Sequence, residues 1–195
     1  MLFRSPHSQK GVTEGGPKLD VEAIRETYNP VHMVVDHYEN FEQNFEERAK
    51  QFTNFFHVPK NQISMWYKVG RGMTMIEDYM MFSGVTYDLI IRLRPDLVFN
   101  EPLPDFDMNK FYTLGYRNHM GQGTSDMIQV GNQLQMILFS KAACYLTHIY
   151  SKTNLLCPHV LSSQWIQDMG LPWQEFHINK TLQHTPKGEY VEMDK

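Results

Sequence analysis

A chain of 195 residues is long enough for one domain with a sizeable core. Its 42% apolar and 21% charged residues exclude a disordered tail, and 18 basic against 22 acidic side chains, a formal charge of −4, argue against nucleic-acid binding, which needs a basic surface to neutralise phosphates. No apolar run reaches the ~18–20 residues of a membrane span, and the opening MLFRSPHSQKGVTEGGPK lacks the h-region of a signal peptide, so the chain as given reads as soluble and cytoplasmic.

Residues 1–18, rich in glycine and proline, read as a mobile arm. Asp20 is placed to cap a short helix through Tyr28, which Asn29-Pro30 ends because the residue before proline avoids the helical region. VHMVVDHY, residues 31–38, has the β-branched density of a strand. From Asn40, a candidate N-cap, Phe41, Phe45, Ala49, Phe52 and Phe56 fall at helical spacing. A second helix is expected over Ser64–Phe82, with Trp66, Val69, Met73, Ile76 and Met80 on one face and Gly70 and Gly72 weakening it by ~1 kcal/mol each.

In YDLIIRLRPDLVF, residues 87–99, Leu89, Ile91 and Leu93 alternate with Ile90, Arg92 and Arg94, so the period of two predicts a strand with one wholly apolar face, stopped at Pro95. KFYTLG and DMIQVG then read as short strands around the turn GQGTS, residues 121–125. Asn132 with Gln135 forms a capping box that opens a helix bearing Leu134, Leu138, Ala142, Tyr145 and Ile149. A helix over Val160–Met169 ends at Gly170, a last strand follows near Glu175–Asn179, and residues 186–195 form a polar tail. Helices alternate with strands, so the expected class is α/β with a mostly parallel sheet, in one domain over residues 19–185.

Two thiols, Cys144 and Cys157, make no CxxC motif, and the nine histidines include no HxH or HExxH pair, so neither a disulfide framework nor a zinc site is expected. The chemistry gathers instead in Arg92, Arg94 and Asp96. A strand that ends in Arg-x-Arg-Pro-Asp aims charge into the crevice outside the carboxyl ends of an open sheet, where ligands bind. Guanidinium forks suit phosphate oxygens, and a carboxylate can hold a divalent cation or a ribose hydroxyl. The alternative is a salt-bridged strand end. Asp126, after GQGTS, is a second candidate, either as a general base or as an Asx-turn residue.

The order SMWYKV (64–69), YDLIIRLRPDLVF (87–99) and SDMIQVGNQLQMILFS (125–140) resembles a group of GT-A-fold glycosyltransferases of large DNA viruses, bacteria and algae. The matching positions include Asp96, Asp126, Gly131, Met136 and Phe139-Ser140, and YNPVHMVVDHYENF (28–41) and HVLSSQWIQDMGL (159–171) extend the similarity over residues 20–185. The resemblance implies a single GT-A-like, Rossmann-like domain, a nucleotide-diphosphate-sugar donor, a glycan acceptor and a divalent cation, Mn²⁺ or Mg²⁺. In that frame Asp96 is the metal residue, Arg92 and Arg94 with Tyr67 and Lys68 line the donor site, and Asp126 is the base of an inverting transfer. Members of the group begin with a strand and a loop of the kind "sGQxRsf". Nothing like it precedes Tyr28, so the resemblance implies a missing first strand, an uncovered sheet edge and half a nucleotide pocket. A catalytically silent GT-A-like binding module is the alternative function.

Overall fold

The computed structural model describes residues 21–94, 97–115, 123–183 and 190–192. The arm of residues 1–18 and most of the tail therefore lie outside the described residues. The chain runs α1 (Val21–Tyr28), a 3₁₀ turn (Tyr38–Asn40), α2 (Glu42–Ala49), α3 (Pro59–Ser83), β1 (Ile90–Leu93), β2 (Leu97–Phe99), β3 (Phe111–Leu114), β4 (Ile128–Gly131), α4 (Gln133–Ser140), α5 (Ala142–Thr153), α6 (Pro158–Asp168), β5 (Trp173–Phe176), β6 (Lys180–Gln183) and β7 (Tyr190–Glu192).

Four strands form the main sheet in the order β1-β4-β3-β5, and β2-β6-β7 form a second, antiparallel one. The class is α/β as expected, but the main sheet is mixed rather than mostly parallel. β4 runs antiparallel to both β1 and β3, and only β3 and β5 are parallel. The connections explain this. A parallel neighbour needs a crossover of a dozen or more residues, usually helical. The connection from β3 to its parallel neighbour β5 contains β4 and the helices α4, α5 and α6, whereas among the described residues no helix separates β1, β2, β3 and β4 in the chain order.

Several local expectations are also corrected. VHMVVD forms no strand: its backbone is irregular through His37 and Val31 is 77% exposed. β-propensity acts only where a ladder and a packed face are present, and among the described residues no strand pairs with this segment. Asn40 closes the 3₁₀ turn, Phe41 takes the N-cap of α2, and α2 ends at Ala49 instead of continuing to Phe56. α3 begins earlier than expected, at Pro59, because proline at the first helical position loses no hydrogen bond there. Gly70 is needed inside α3 for contact, since a Cβ there would sit 3.0 Å from the Cβ of Ala143 on α5. The Asn132–Gln135 capping box is present in both directions, at 3.0 and 2.9 Å.

The sheet divides two cores. On the helix side Trp66, Ile63 and Met73 of α3 meet Phe139, Leu146, Ile149 and Leu161 of α4–α6 above Ile90 and Phe111. The rings of Trp66 and Phe111 lie 5.8 and 5.1 Å from that of Phe139. On the other side Tyr112, Leu114, Ile128, Val130 and Phe176 pack with Leu97, Phe99 and Phe106.

β1 sits at the sheet edge, and its apolar face, with Ile91 and Leu93 opposite Val130 and Ile128, lies on the second-core side but is poorly covered. Ile90 is buried at 6% exposure on the helix side, while Ile91 and Leu93 are 38% and 42% exposed. The helix-side face carries Arg92 because that register sets it opposite Gln129, which accepts its hydrogen bond. The second core is built on β3, β4 and β5 and takes in Leu89, just before β1. Ile90→Ala is therefore expected to cost about 2–4 kcal/mol and Ile91→Ala under about 1 kcal/mol. Urea-unfolding midpoints decide the matter; the opposite ranking would return Ile91 to the interior.

Candidate functional site

β1 and β3 are both antiparallel to β4, and β5 is parallel to β3, so the carboxyl ends of β1, β3 and β5 share one side of the sheet. The amino end of β4 joins them there. That edge holds Arg92 and Arg94, Gly115 after β3, the Gly123–Asp126 segment before β4, and His177 after β5. The ring of His177 lies against Gly115, where an added Cβ would come within 2.2 Å of it.

Across the helix-side face Arg92 pairs with Gln129, Gln129 with Thr113 and Thr113 with Glu175, one polar row in register over four strands. Arg92 is tied down by two bonds. Its Nη1 donates to the carbonyl of Asp126 and to Gln129 Oε1 at 2.5 Å. Gln129, fully buried, passes the network on by donating from Nε2 to the Ser125 carbonyl at 2.8 Å. The Met127 N–H donates to Ser125 Oγ at 3.1 Å, and the Arg94 N–H donates to the Met127 carbonyl at 3.0 Å. Burial lowers the pKa of the Arg92 guanidinium, the Asp126 charge opposes that shift, and Arg94 adds to it.

Sequence reasoning missed His159. It stands in the first turn of α6, directly after Pro158, with Nδ1 2.9 Å from the Thr124 carbonyl and 3.9 Å from Asp126 Oδ1. The Thr124 N–H in turn donates to the His159 carbonyl at 3.1 Å. Both side chains are largely withdrawn from water, at 15% and 13% exposure. Gly123 permits this approach: its φ is +101°, and a Cβ there would lie 2.7 Å from the His159 carbonyl carbon. No spacing rule links His159 to Asp126, so only the fold reveals the pair. The glycines of GQGTS were the one legible sign of a tight approach.

The predicted residues thus divide. Arg92 and Asp126 are brought together, and the Arg94 backbone joins the same network. Tyr67 packs in the α2–α3 seam, its ring 4.9 Å from that of Phe41 and 5.5 Å from that of Phe45. Burial raises its phenol pKa, as does the charge of Asp36, with Arg71 opposing. Lys68 lies next to it on α3, a helix that packs on α2, α4 and α5. Asp96 lies outside the described residues, as do Gly121 and Gln122 of the turn.

Burial depresses the Lys68 ammonium to about 8. Its folded pKa is below its unfolded one, so between about pH 8 and 10.5 the unfolded chain binds more protons and stability rises with pH. Lys68→Met removes that cost. It is expected to stabilise the protein at pH 7 by about 1–2 kcal/mol and to flatten the rise, read as urea midpoints at pH 7 and 10. A variant that is less stable at pH 7 would show that the ammonium contributes favourably.

Among the described residues no group of three or more His, Cys, Asp or Glu side chains is arranged to hold a metal ion. Asp126 and His159 supply one carboxylate and one imidazole, which by themselves are too few for an oxygen-rich Mn²⁺ or Mg²⁺ site. No helix among the described residues is long and apolar enough to cross a membrane. Compared with known proteins, the chain matches no protein-family model, no curated protein and no solved structure.

Proposed function

We propose that the protein transfers a sugar from a nucleotide-diphosphate-sugar donor to a glycan hydroxyl, in a GT-A-like domain whose sheet is mixed. The observation that carries this reading is the hydrogen-bonded union of the Arg92–Arg94 strand end with the Asp126 loop at the shared carboxyl edge of β1, β3 and β5. Guanidinium charge beside a carboxylate at such an edge suits a diphosphate leaving group and an acceptor hydroxyl on neighbouring sites. The two arginines take different parts. Arg92 has its Nη1 bonded to protein acceptors, so it holds the Asp126 loop and lends charge. Arg94 is the residue assigned to phosphate oxygens. Asp126 accepts the acceptor proton. Asp96 would hold the divalent cation, which would supply charge neutralisation on the diphosphate.

Titration calorimetry with uridine and guanosine diphosphates, with and without Mn²⁺, tests the reading. A charge-assisted phosphate contact is worth ~1.5–3 kcal/mol, so Arg94→Ala is expected to weaken binding about tenfold or more. Asp96→Asn is expected to abolish the Mn²⁺ dependence, because the amide keeps the shape and loses the charge a hard cation requires. Binding untouched by either change would return both residues to a structural role.

The second reading is a catalytically silent module that binds a nucleotide-sugar, glycan or protein. It is favoured by the commitment of Arg92 to Asp126 and Gln129. Diphosphate binding without turnover of any donor would select it. In either reading we place the protein in solution in the cytoplasm.

A further inference from the structure

At the other end of the β1–β4 ladder, where Ile90 pairs with Gly131, the surface opens into a cleft of about 470 Å³. Asp126 adjoins the opposite end, where Leu93 pairs with Ile128, about 10 Å away along the strands. Part of its lining is apolar, from Met108, Leu134 and Ile137, with Leu134 65% and Met108 50% exposed. Its rim carries Tyr87, Asp88, Asn109 and Gln133.

The walls are held by bonds that leave the rim groups available. Asn132 closes the α4 capping box and donates from Nδ2 to the Met108 carbonyl at 2.9 Å, which joins the two sides. Asn109 donates from both N and Nδ2 to Asp107 Oδ1, at 2.9 and 3.0 Å, which leaves its carbonyl oxygen as an acceptor. The Tyr87 hydroxyl, the Asp88 carboxylate and the Gln133 amide make no hydrogen bond or ion pair among the described residues.

The donor and acceptor inventory selects a ligand class. The rim offers a carboxylate, two amide oxygens, an amide NH₂ and a phenol, beside an aromatic ring and aliphatic carbon. Among the described residues no Lys, Arg or His lines the cleft, and Lys110, next to Asn109, donates to Gln174 at 3.2 Å instead. The capping box already takes the N–H of Gln135 at the α4 N-terminus, so that helix end offers less to an anion. A phosphate or uronate is therefore disfavoured. A ligand with many hydroxyl donors and one C–H face matches both the polar rim and the exposed apolar lining. We propose that this cleft binds a neutral oligosaccharide, as a site separate from the Arg94–Asp126 edge.

The test is an amide-resolved NMR titration of the full chain with cellohexaose, maltohexaose and mannohexaose, with uridine diphosphate plus Mn²⁺ and a lysine hexapeptide as separate arms. At least one hexasaccharide is expected to give saturable millimolar shifts at residues 87–88, 108–109 and 133–134. Asp88→Asn and Tyr87→Ala are each expected to weaken it about fivefold or more. Both positions are exposed, and an unchanged spectrum elsewhere verifies the fold. Failure of all three sugars to move these residues overturns the proposal, as does saturation by the lysine peptide alone or an unaltered affinity in both variants. The diphosphate arm reports on the opposite edge, so failure of the donor-site reading is recorded separately.

Discussion

Asp126→Asn is expected to bind donor and metal as the parent does and to transfer sugar 10²–10⁴-fold more slowly, the range for loss of a general base. The amide keeps the size of the carboxylate, and the Asp126 carbonyl that receives the Arg92 hydrogen bond belongs to the backbone, so the network that shapes the loop survives. What disappears is the negative charge 3.9 Å from His159 Nδ1 and the group that takes the acceptor proton. Single-turnover transfer beside diphosphate calorimetry separates the outcomes. A comparable loss of donor affinity would make Asp126 a donor-site residue, and a full-rate variant would remove it from the mechanism.

Arg92→Leu is expected to lower stability by about 3–5 kcal/mol, because two hydrogen bonds from a charged group, each contributing about 1.5–3 kcal/mol, are lost while part of the guanidinium's burial cost is relieved. The loss leaves Gln129 Oε1 without its donor, in a side chain with no solvent access. At the ~2–4 °C per kcal/mol usual for 150–250 residues, the melting temperature should fall by roughly 6–20 °C. The guanidinium itself pays for burial, which is why its pKa is lowered, so a variant that also replaces Gln129 by Leu should recover part of the loss. Scanning calorimetry of the single and double variants measures that coupling. An Arg92→Leu protein as stable as the parent would show that the two hydrogen bonds contribute nothing net.

The sequence by itself determined the elements whose signals are local. Asn132 and Gln135 satisfy each other's backbone donors within one turn, so the start of α4 was legible from two letters. The period of two over residues 89–94 and the glycine and proline stops set β1, β3, β4 and α6 nearly where they lie. The sequence groups Arg92 with Arg94 and Asp96 and sets Asp126 apart as a second candidate, so the bond from Arg92 to the Asp126 segment was not legible in it. Tertiary structure decided the rest. Whether Ile90 or Ile91 faces the core depends on the register with β4 and on where the second core ends, and neither is written in the alternation itself. VHMVVD has the composition of a strand, but among the described residues no strand pairs with it, and its backbone is irregular. β4 runs antiparallel to both of its neighbours, which the alternation alone does not specify, and His159 reaches Asp126 only because α6 docks over a glycine with a positive φ. Local hydrogen bonds are settled between near neighbours, whereas register, strand direction and the meeting of distant side chains depend on which segments share a core.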